Sequence, residues 1–470
     1  MISRIGQSVL DTVQSTGQNI NDALFGAPIR LGVTGLARSG KTVFITSLVA
    51  NLLAGGRMPQ LHALAQGRVE LVFLQQQPDD TVARFDYETH LGALTSPTPC
   101  WPENTKGISQ LRLTLRIRPE GFLGGLRGTV LQHIDIIDYP GEWLLDLTLL
   151  EKSYEEWSAS ALANVDMRDI GADYATLLAQ TDGSAAFSEQ NAKALATTYA
   201  RYLTQARLAG FPDLTPGRFL LPGDLAGSPV ITFGPLRSLD KASKTSLYRE
   251  MSRRYNAYKD KVVRPFFRDH FSKIDRQIVL IDMLDTLATG PQATKDLRNS
   301  LRDLLKAFRT GRNSILSKFF IGNRVEKILF AATKADHIPQ SQHKDMAALI
   351  QAFVDDAARA AQFAGAQTAS MAIASLRSTT ETEQTHNGRS LECVRGTDLE
   401  TGKQVAVFPG KLPQNPQSIL SEAEQAIDNW SLSDFSTLKF APPKDALRAG
   451  EGMAHIRLDQ AAQFLFGDKL

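Results

Sequence analysis

The sequence predicts a three-layer α/β domain with a mostly parallel sheet, together with a large all-α insertion domain. Short apolar runs alternate with helical patterns before residue 142 and after residue 273, and helical patterns dominate the residues between them. Strands that alternate with helices form largely parallel sheets covered by helices on both faces. A chain of 470 residues is long enough for about two to four domains.

In the first part of the chain we expect strands over residues 28–34, 108–118 and 130–137, and a helix over residues 41–54. The strand over 108–118 has leucine or isoleucine at every second position near its centre, which is typical of a half-buried strand. The glycine-rich turn after this strand predicts a hairpin with the next strand. Residues 55–100 are polar and contain four prolines, so we expect loops with one helix there.

The central segment and the last part of the chain continue this pattern. Helical patterns cover residues 144–163, 172–180, 188–208 and 241–271, with short strand pieces near Phe219 and Ile231. Later strands are expected over residues 276–284, 325–333 and 368–374, and later helices over residues 294–308, 344–363 and 417–430. A polar loop with a small hairpin is expected over residues 377–413.

These patterns divide the chain into five predicted parts. They are an N-terminal helix (residues 1–27), an α/β domain (28–141 and 274–376), a helical insertion domain (142–273), a small β and loop insertion (377–413) and a C-terminal helical segment packed on the α/β domain (414–470). Apolar residues recur every four positions in the N-terminal helix. Such a helix packs on its own domain or docks on a membrane surface or a partner, and both roles stay open.

Composition argues against several classes of function. The net charge is +2 and charged residues make up 22% of the chain, so no nucleic acid partner is expected. The two cysteines, Cys100 and Cys393, form no C-x-x-C pair, which is typical of a reducing compartment. The sequence shows no secretory signal and no apolar run of about 18 residues. These absences predict a cytoplasmic protein.

A phosphate-binding loop follows the first predicted strand. Residues 35–42 read Gly-Leu-Ala-Arg-Ser-Gly-Lys-Thr and fit G-x-x-x-x-G-K-[ST] between a strand and a helix. Backbone N–H groups of such a loop surround phosphates at the helix N-terminus. We expect Lys41 between the β- and γ-phosphates and the Thr42 hydroxyl on Mg²⁺. This predicts a P-loop NTPase domain whose nucleotide-binding residues here are Gly35, Ala37, Arg38, Ser39, Gly40, Lys41, Thr42 and Val43.

Two further segments are predicted to reach the metal and the γ-phosphate. Residues 138–141 follow an apolar strand and fit D-x-x-G, so Asp138 is expected to hold Mg²⁺ through a water and the Gly141 N–H to contact the γ-phosphate. Thr105 precedes the strand that begins near residue 108, where a threonine can close on Mg²⁺ when triphosphate is bound. A strand-ending turn and an ordinary loop residue are the alternatives for these two segments.

The segment Thr333-Lys334-Ala335-Asp336 is the predicted base reader, since it fits [NT]-K-x-D after a buried strand. A carboxylate at Asp336 can accept hydrogen bonds from N1–H and the exocyclic amine of guanine, and adenine has no such pair of donors. The stem of Lys334 would lie over the base. A helix N-cap is the alternative for Asp336. Ser375 and Leu376 lie where a backbone N–H could read the guanine O6.

These motifs, in this order, resemble the Ras-like GTPase superfamily. More closely, the chain resembles the YcjX family of bacterial P-loop proteins over nearly its full length, through the phosphate loop and the runs Trp-Pro-Glu-Asn-Thr (101–105), Asp-Tyr-Pro-Gly-Glu-Trp (138–143) and His-Ile-Arg-Leu-Asp-Gln (455–460). The resemblance implies a stress-induced bacterial protein linked to an inner-membrane stress system. A protein partner in that system, and a peripheral place at the inner membrane, are implied with it.

Two departures bear on catalysis. Ras-like enzymes usually have a glutamine directly after D-x-x-G to orient the attacking water, and Glu142 stands there in this chain. A carboxylate could act as a base, but its charge would repel the γ-phosphate, so slow hydrolysis is expected. Arg38 occupies a loop position that is often glycine, and it is either a charge stabiliser or a solvated side chain. The candidate catalytic residues are therefore Lys41, Thr105, Gly141, Glu142 and Arg38, and the candidate metal ligands are Thr42, Thr105 and Asp138.

Three functions remain open at this point. The first is a GTPase switch in which the Thr105 and Gly141 segments move on hydrolysis and the helical insertion transmits the change. The second is an ATPase with the same chemistry, in which Asp336 only caps a helix. The third is a scaffold that binds GDP or GTP and hydrolyses almost none of it, which the glutamate at position 142 keeps open. His337, directly after the base reader, is expected to begin a helix rather than to act in catalysis.

Overall fold

A computed structural model of the protein describes residues 27–35, 39–103, 107–120, 128–209, 211, 214–306, 325–363, 365–386, 388–425 and 430–470, without the side chains of residues 224 and 303–306. Several predicted features lie outside these residues. They are the N-terminal helix up to residue 26, the loop residues Ala37 and Arg38, and the switch residue Thr105.

The described residues form a mixed, mostly parallel sheet of eight strands. The strands are β1 (Ile29–Gly35), β2 (Val69–Gln75), β3 (Ala83–Arg84), β4 (Ser109–Ile117), β5 (Val130–Asp138), β6 (Arg276–Ile281), β7 (Lys327–Ala332) and β8 (Gln367–Ala372). Their order is β2-β4-β5-β1-β6-β7-β8, and β3 pairs with β4. Strands β5, β1, β6, β7 and β8 pair parallel with one another, β3 pairs parallel with β4, and the β2–β4 and β4–β5 pairs are antiparallel. The predicted α/β sheet and its β4–β5 hairpin are confirmed.

Alternate residues of the buried strands point to opposite faces, and helices cover both faces. In β6, Ile278 and Leu280 join one apolar cluster while Val279 and Ile281 join another. The first cluster contains residues of the helices Lys41–Ala54 (α1) and Leu458–Phe466, which lie on that face. The second contains residues of the central helices and of the helix His343–Phe363. A strand that is buried on both faces has a continuous run of apolar residues in the sequence. Strand β6 was predicted from such a run.

Strand β1 lies where the strand order reverses. Strands β2 to β5 follow β1 in the chain and lie on one side of it, and β6 to β8 lie on the other side. The two neighbours of β1, which are β5 and β6, are parallel to it. In open α/β sheets a crevice forms at such a point, beyond the carboxyl ends of the strands. The loop after β1 therefore lies at the place in this fold that is best suited to a ligand.

The remaining helices follow in chain order. They are α2 (His62–Ala65), α3 (Tyr87–Thr95), α4 (Gly141–Leu145), α5 (Tyr154–Met167), α6 (Ala172–Ala179), α7 (Glu189–Leu208), α8 (Leu247–Tyr258), α9 (Arg264–Asp269), α10 (Met283–Thr289), α11 (Pro291–Lys306), α12 (His343–Phe363), α13 (Pro416–Gln425) and α14 (Leu458–Phe466). A short π-helical stretch, Lys259–Val263, joins α8 to α9.

The described residues between β5 and β6 are helices and turns, with one isolated strand-like bridge from Ala186 to Ser246. An aromatic cluster fills their interior, in which the ring of Trp157 stacks on that of Tyr255 at 5.1 Å. These apolar residues belong to the same cluster as Ile137 and Val279 of the sheet. The helical segment thus shares its core with one face of the sheet, and its status as a separate insertion domain stays a prediction.

Several expected elements differ in the structure because local capping decides where they begin and end. The expected helix over residues 144–163 is interrupted by a 3-10 turn, Asp146–Glu151, and α5 begins afresh where Ser153 and Glu156 form a capping box. The strand expected to reach residue 284 ends at Ile281, since the Asp282 carboxylate caps α10. The expected strand pieces near Phe219 and Ile231 are 3-10 turns.

Sequence reasoning missed strands β2 and β3, the third strand of a second sheet and a short strand pair in the tail. Strand β2 lies at the sheet edge within the segment expected to be loops with one helix, and its half-exposed residues carry no clean alternation. The small hairpin is part of a second sheet, in which β9 (Thr379–His386), β10 (Arg389–Thr397) and β11 (Gln404–Val407) pair antiparallel. The tail contains α14 and a short β12–β13 pair (Leu447–Arg448 and Gly452–Met453).

No helix in the described part of the chain is long and apolar enough to cross a membrane.

Candidate functional site

The loop after β1 has the backbone that the sequence predicts for phosphate binding. Gly40 precedes α1 with φ 82°, a left-handed conformation that favours glycine. A Cβ atom on Gly35 would collide with Ser39 Oγ and with the carbonyl oxygen of Leu280 on β6, so only glycine fits where the loop leaves the sheet. Lys41 is the first residue of α1, whose first turn has no acidic side chain to oppose an anion.

A cavity of about 330 Å³ lies at the carboxyl edge of the sheet and is lined by both of the predicted binding motifs. Its size is within the range of small-molecule sites. From the sequence predictions, the cavity wall contains Ser39, Gly40, Lys41, Thr42, Val43, Lys334, Asp336, Ser375 and Leu376. The predicted phosphate loop and base reader are 291 or more residues apart in sequence, counted from Thr42 to Thr333, and the fold brings them to one cavity.

Asp336 lies in a 3-10 turn, Ala335–His337, whose backbone enters through Lys334 in the left-handed region at φ 61°. Its carboxylate oxygen Oδ2 accepts hydrogen bonds from the Ser378 N–H (2.8 Å) and from the Ser378 hydroxyl (2.7 Å). Asp336 therefore does not cap α12, which begins seven residues later at His343. A carboxylate has two acceptor oxygens, and the bonds to Ser378 use only Oδ2.

Lys334 forms an ion pair with Asp282 at the end of the neighbouring strand β6. The Asp282 carboxylate also accepts from the Asp285 N–H at the start of α10, so it is fixed by its own helix cap. The ammonium group of Lys334 is held at this edge of the cavity, and about one third of the lysine side chain is exposed. This arrangement leaves the aliphatic stem of Lys334 available to contact a ligand in the cavity.

The segment that contains Ser375 and Leu376 is held by the end of the chain. Ala374 and Ile456 exchange backbone hydrogen bonds of 3.1 and 2.8 Å, and the Arg377 N–H donates to the Ala454 carbonyl at 2.7 Å. Arg457 donates to the Ala372 carbonyl at 3.0 Å. The run His-Ile-Arg-Leu-Asp-Gln thus has a positioning role, because it fixes the backbone path beside the cavity.

His343 contacts the base-reader turn at the Ala335 carbonyl. Its Nε2 lies 2.7 Å from the Ala335 carbonyl and its Nδ1 lies 3.2 Å from a guanidinium nitrogen of Arg457. Burial, and then the charge of Arg457, lower the pKa of His343 below its ordinary value. The neutral ring with a proton on Nε2 satisfies both contacts, since Nε2–H donates to the carbonyl and Nδ1 accepts from Arg457.

The predicted metal ligands fit a magnesium ion in chemistry. Asp138 ends β5, where it is paired in register with Val33 on β1, two residues before Gly35. The Asp138 side chain is buried, and Thr42 lines the cavity at the start of α1. A hydroxyl and a carboxylate are oxygen donors of the kind Mg²⁺ binds together with waters and phosphates. Within the described residues, no cluster of three His, Cys, Asp or Glu side chains forms a metal cage.

Glu142 is not among the residues that line the cavity. It lies in α4 directly after Gly141, it is 2% exposed, and its carboxylate is 3.7 Å from the guanidinium of Arg207 on α7. A Cβ atom on Gly217 would collide with the Glu142 carbonyl, so the central segment packs closely on this turn. The residue expected to act on water instead contacts the helical segment in this structure, and its catalytic role stays a prediction.

Comparison with known proteins assigns the family. Residues 29–470 match the model of the YcjX-like family, DUF463. The chain belongs to the YcjX-like family. It is similar to a protein named Ras-like GTPase YcjX from Escherichia coli K12, with 37% identity over 94% of this chain and 96% of the relative. It is also similar to the Ras-like GTPase YcjX of Shewanella oneidensis MR-1, with 35% identity over 94% of each chain. The resemblance read from the sequence motifs is confirmed.

Part of the cavity in this YcjX-like chain comes from residues that sequence reasoning did not assign to a site. The additional lining residues are Trp101, Pro102, Asp282, Leu284, Asp285, His337, Ser378, Leu399, Thr437, Leu438, Lys439 and Phe440. We call residues 437–440 the C-terminal strap. Trp101 and Pro102 belong to a run that carried the family resemblance, which was a usable signal. The strap alternates polar and apolar residues over only four positions and has no motif, so the sequence gives no sign that it reaches this cavity.

Proposed function

We propose that this protein binds guanine nucleotide with Mg²⁺ and hydrolyses GTP to GDP and phosphate as a nucleotide-driven switch. One observation carries the proposal: the phosphate loop and the Asp336 carboxylate line the same cavity, and Ser378 orients that carboxylate. The names of the two relatives, Ras-like GTPase YcjX, support the same function. A role in bacterial stress, an inner-membrane protein partner and a peripheral location belong to the proposal through the family resemblance.

At the phosphate end, the loop would bind by charge and backbone N–H groups. Gly35 and Gly40 allow the chain to wrap around the phosphates, and Lys41 at the start of α1 would neutralise their charge. Thr42 and Asp138 would hold Mg²⁺, with Thr105 closing on it. The ion, when bound, would draw electron density from the phosphate oxygens. Gly141 would contact the γ-phosphate through its N–H.

At the base end, the proposal depends on the second oxygen of Asp336. With Oδ2 occupied by Ser378, the carboxylate is held in one orientation before a nucleotide binds. Oδ1 would then accept from the N1–H and amine edge of guanine, while adenine would leave this buried acceptor without a donor. The stem of Lys334 would cover one face of the base, with its ammonium anchored by Asp282.

The contacts of α4 support a route from nucleotide to helical segment. Gly141 begins α4, and the next two residues contact the central helices. Glu142 pairs with Arg207, and the guanidinium of Arg218 lies over the ring of Trp143 at 3.1 Å. A shift of the Gly141 N–H toward the γ-phosphate would therefore pull on the segment 142–273, which we propose acts as the insertion domain that transmits the switch.

The position of Glu142 favours a second candidate, a guanine nucleotide scaffold with negligible hydrolysis. A carboxylate that is buried against Arg207 is not free to orient a water at the γ-phosphate in the conformation described. Single-turnover hydrolysis of GTP separates the two candidates. Release of phosphate with a half-life of about an hour or less supports the switch, and a triphosphate still intact after about a day supports the scaffold.

Calorimetric binding of GDP, a GTP analogue and ATP with Mg²⁺ tests the proposal. Wild-type protein is expected to bind both guanine nucleotides at micromolar concentration or tighter, and Asp336→Ala to weaken this by about a hundredfold or more. Asp166→Ala, an exposed aspartate on α5, is the matched control and should bind as wild type does. ATP binding as tight as that of GTP, with Asp336→Ala unaffected, would refute the guanine assignment and favour the ATPase.

A further inference from the structure

We infer that the C-terminal strap, together with Leu399, forms the apolar wall that covers the base of the bound nucleotide. This inference rests on the proposed function, because it assigns further residues to the same ligand. The wall would come from a part of the chain with no recognisable nucleotide motif, and Leu438 and Leu399 would be its contact residues.

The strap is fixed in place by the small second sheet. The Leu399 N–H donates to the Lys439 carbonyl at 2.8 Å, and the Ala441 N–H donates to the Thr397 carbonyl at 2.8 Å. Asp398 and Phe440 form an antiparallel bridge between the same two segments. The strap therefore continues the end of β10 as a short extra edge, and its residues line the cavity from there.

Phe440 joins the strap to the base-reader turn and to the segment that contains Trp101. Its carbonyl accepts a hydrogen bond of 2.8 Å from the Trp101 indole N–H, in the segment that leads to Thr105. Its buried ring meets the His337 ring edge to face, with the centroids 5.0 Å apart, and His337 directly follows Asp336. The strap thus contacts both the base-reader turn, through His337, and the segment that contains Trp101.

Two leucines of this wall expose a large fraction of their apolar side chains to solvent. Leu438 is 38% exposed and Leu399 is 44% exposed, and both line the cavity. The opposite side of the base pocket is polar, since it contains the Asp336 carboxylate and the Lys334–Asp282 ion pair. A planar base is polar at its edge and apolar on its faces, so it matches a pocket with a carboxylate at one side and leucines at another.

The occupant that fits this wall is the base and not a partner protein. Both leucines face the same cavity as Ser39 to Val43 of the phosphate loop, and its volume of about 330 Å³ is within the range of small-molecule sites. A face of the base would remove apolar leucine surface from water, which strengthens binding and slows release.

The experiment compares GDP affinity and GDP release for Leu438→Ser and Leu399→Ser with wild type. Each variant is expected to weaken GDP binding by about fivefold to tenfold and to speed release by a similar factor. Leu438→Met keeps an apolar side chain of similar size and should restore wild-type values. The matched control is Leu447→Ser, since Leu447 is 39% exposed on β12 and does not line the cavity.

The outcomes separate this inference from the proposed function. If wild type binds no guanine nucleotide, the proposed function fails, and the wall fails with it. If wild type binds GDP and Asp336→Ala loses it, while Leu438→Ser and Leu399→Ser release GDP as slowly as wild type, only the wall is overturned. Should the serine variants not fold, Leu438→Ala and Leu399→Ala decide, since they shorten the side chains without adding a polar group. Release about threefold faster supports the wall, and unchanged release overturns it.

Discussion

Ser378 contacts Asp336 through two donors, its N–H and its hydroxyl, and both reach the same carboxylate oxygen. The carbonyl of Asp336 in turn accepts a hydrogen bond from the Thr379 hydroxyl. The turn that carries the carboxylate is therefore fixed before any ligand binds. Such preorganisation lowers the entropy lost on binding, and in the proposed function it would make the carboxylate a better discriminator between bases.

Replacing Ser378 by alanine removes the hydroxyl donor and leaves the N–H donor in place. Because hydrogen bonds to charged groups contribute about 1.5–3 kcal/mol, and one of two bonds remains, we expect GDP affinity to fall by about tenfold. ATP binding should stay unchanged, since the variant alters only the base reader. Calorimetry with both nucleotides measures this. Ser390→Ala, an exposed serine on β10, is the control, and equal GDP affinity in both variants would contradict a positioning role for Ser378.

At the scale of elements, helix α7 makes two ion pairs that differ in environment. Arg207 meets Glu142 of α4 at 3.7 Å, where the glutamate is buried and the arginine is one-fifth exposed. Arg201 meets Asp173 of α6 at 3.7 Å, where both side chains are more than half exposed. The distance between the guanidinium nitrogen and the carboxylate oxygen is the same in both pairs. A comparison of the two pairs therefore reports how burial changes the contribution of an ion pair to stability. The inner pair is the one that joins the central helices to the segment after D-x-x-G.

Arg207→Ala is expected to lower the free energy of unfolding by about 3 kcal/mol, because it leaves a buried carboxylate without its partner. Arg201→Ala, on the same helix, should lower it by less than about 0.5 kcal/mol, since exposed pairs contribute little. Urea unfolding of the three proteins provides the comparison. Equal destabilisation in the two variants would show that the Glu142–Arg207 contact does not join α4 to the helical segment as we propose.

At the scale of the whole molecule, the end of the chain returns to its beginning. The Met453 N–H donates to Asn51 of α1 at 3.0 Å, and the Asp459 carboxylate accepts from the Gln60 N–H at 3.1 Å. Helix α14 lies in the apolar cluster that also contains Leu31 and Phe44. The phosphate-loop helix is therefore held between the sheet and the last residues of the chain, and stability and site geometry are coupled.

This coupling predicts a pH dependence of stability through His343, which joins the base-reader turn to Arg457. The pKa of His343 in the folded protein lies below its ordinary value of 6.5. The unfolded chain then binds more protons between these two values, so the free energy of unfolding is highest above pH 6.5 and falls as the pH drops toward the folded pKa. His343→Gln keeps a donor and an acceptor without titrating.

Thermal unfolding between pH 5 and pH 8 measures the effect. The variant should lose less stability than wild type on acidification, although other buried histidines, His337 and His455 among them, also have lowered pKa values and leave a residual slope. Wild type and His343→Gln that lose stability in parallel over this range would contradict the role given to His343.

The sequence alone predicted the central strands of the sheet, the glycine loop after β1 and the segments that we propose as base reader and metal ligands. Strands buried on both faces and a glycine loop before a helix depend on local patterns, and β6 and residues 35–42 are of that kind. Edge strand β2 and the C-terminal strap were not predictable, because their contacts rather than their composition hold them in place.

Only the tertiary structure decided which residues complete the cavity. Ser378 is 42 residues from Asp336, and the strap is about a hundred residues from it, so no spacing rule connects them. The burial of Glu142 against Arg207 is likewise a contact between elements far apart in sequence. A motif fixes the backbone and chemistry of a short segment, whereas the partners of its side chains depend on which distant elements share its core.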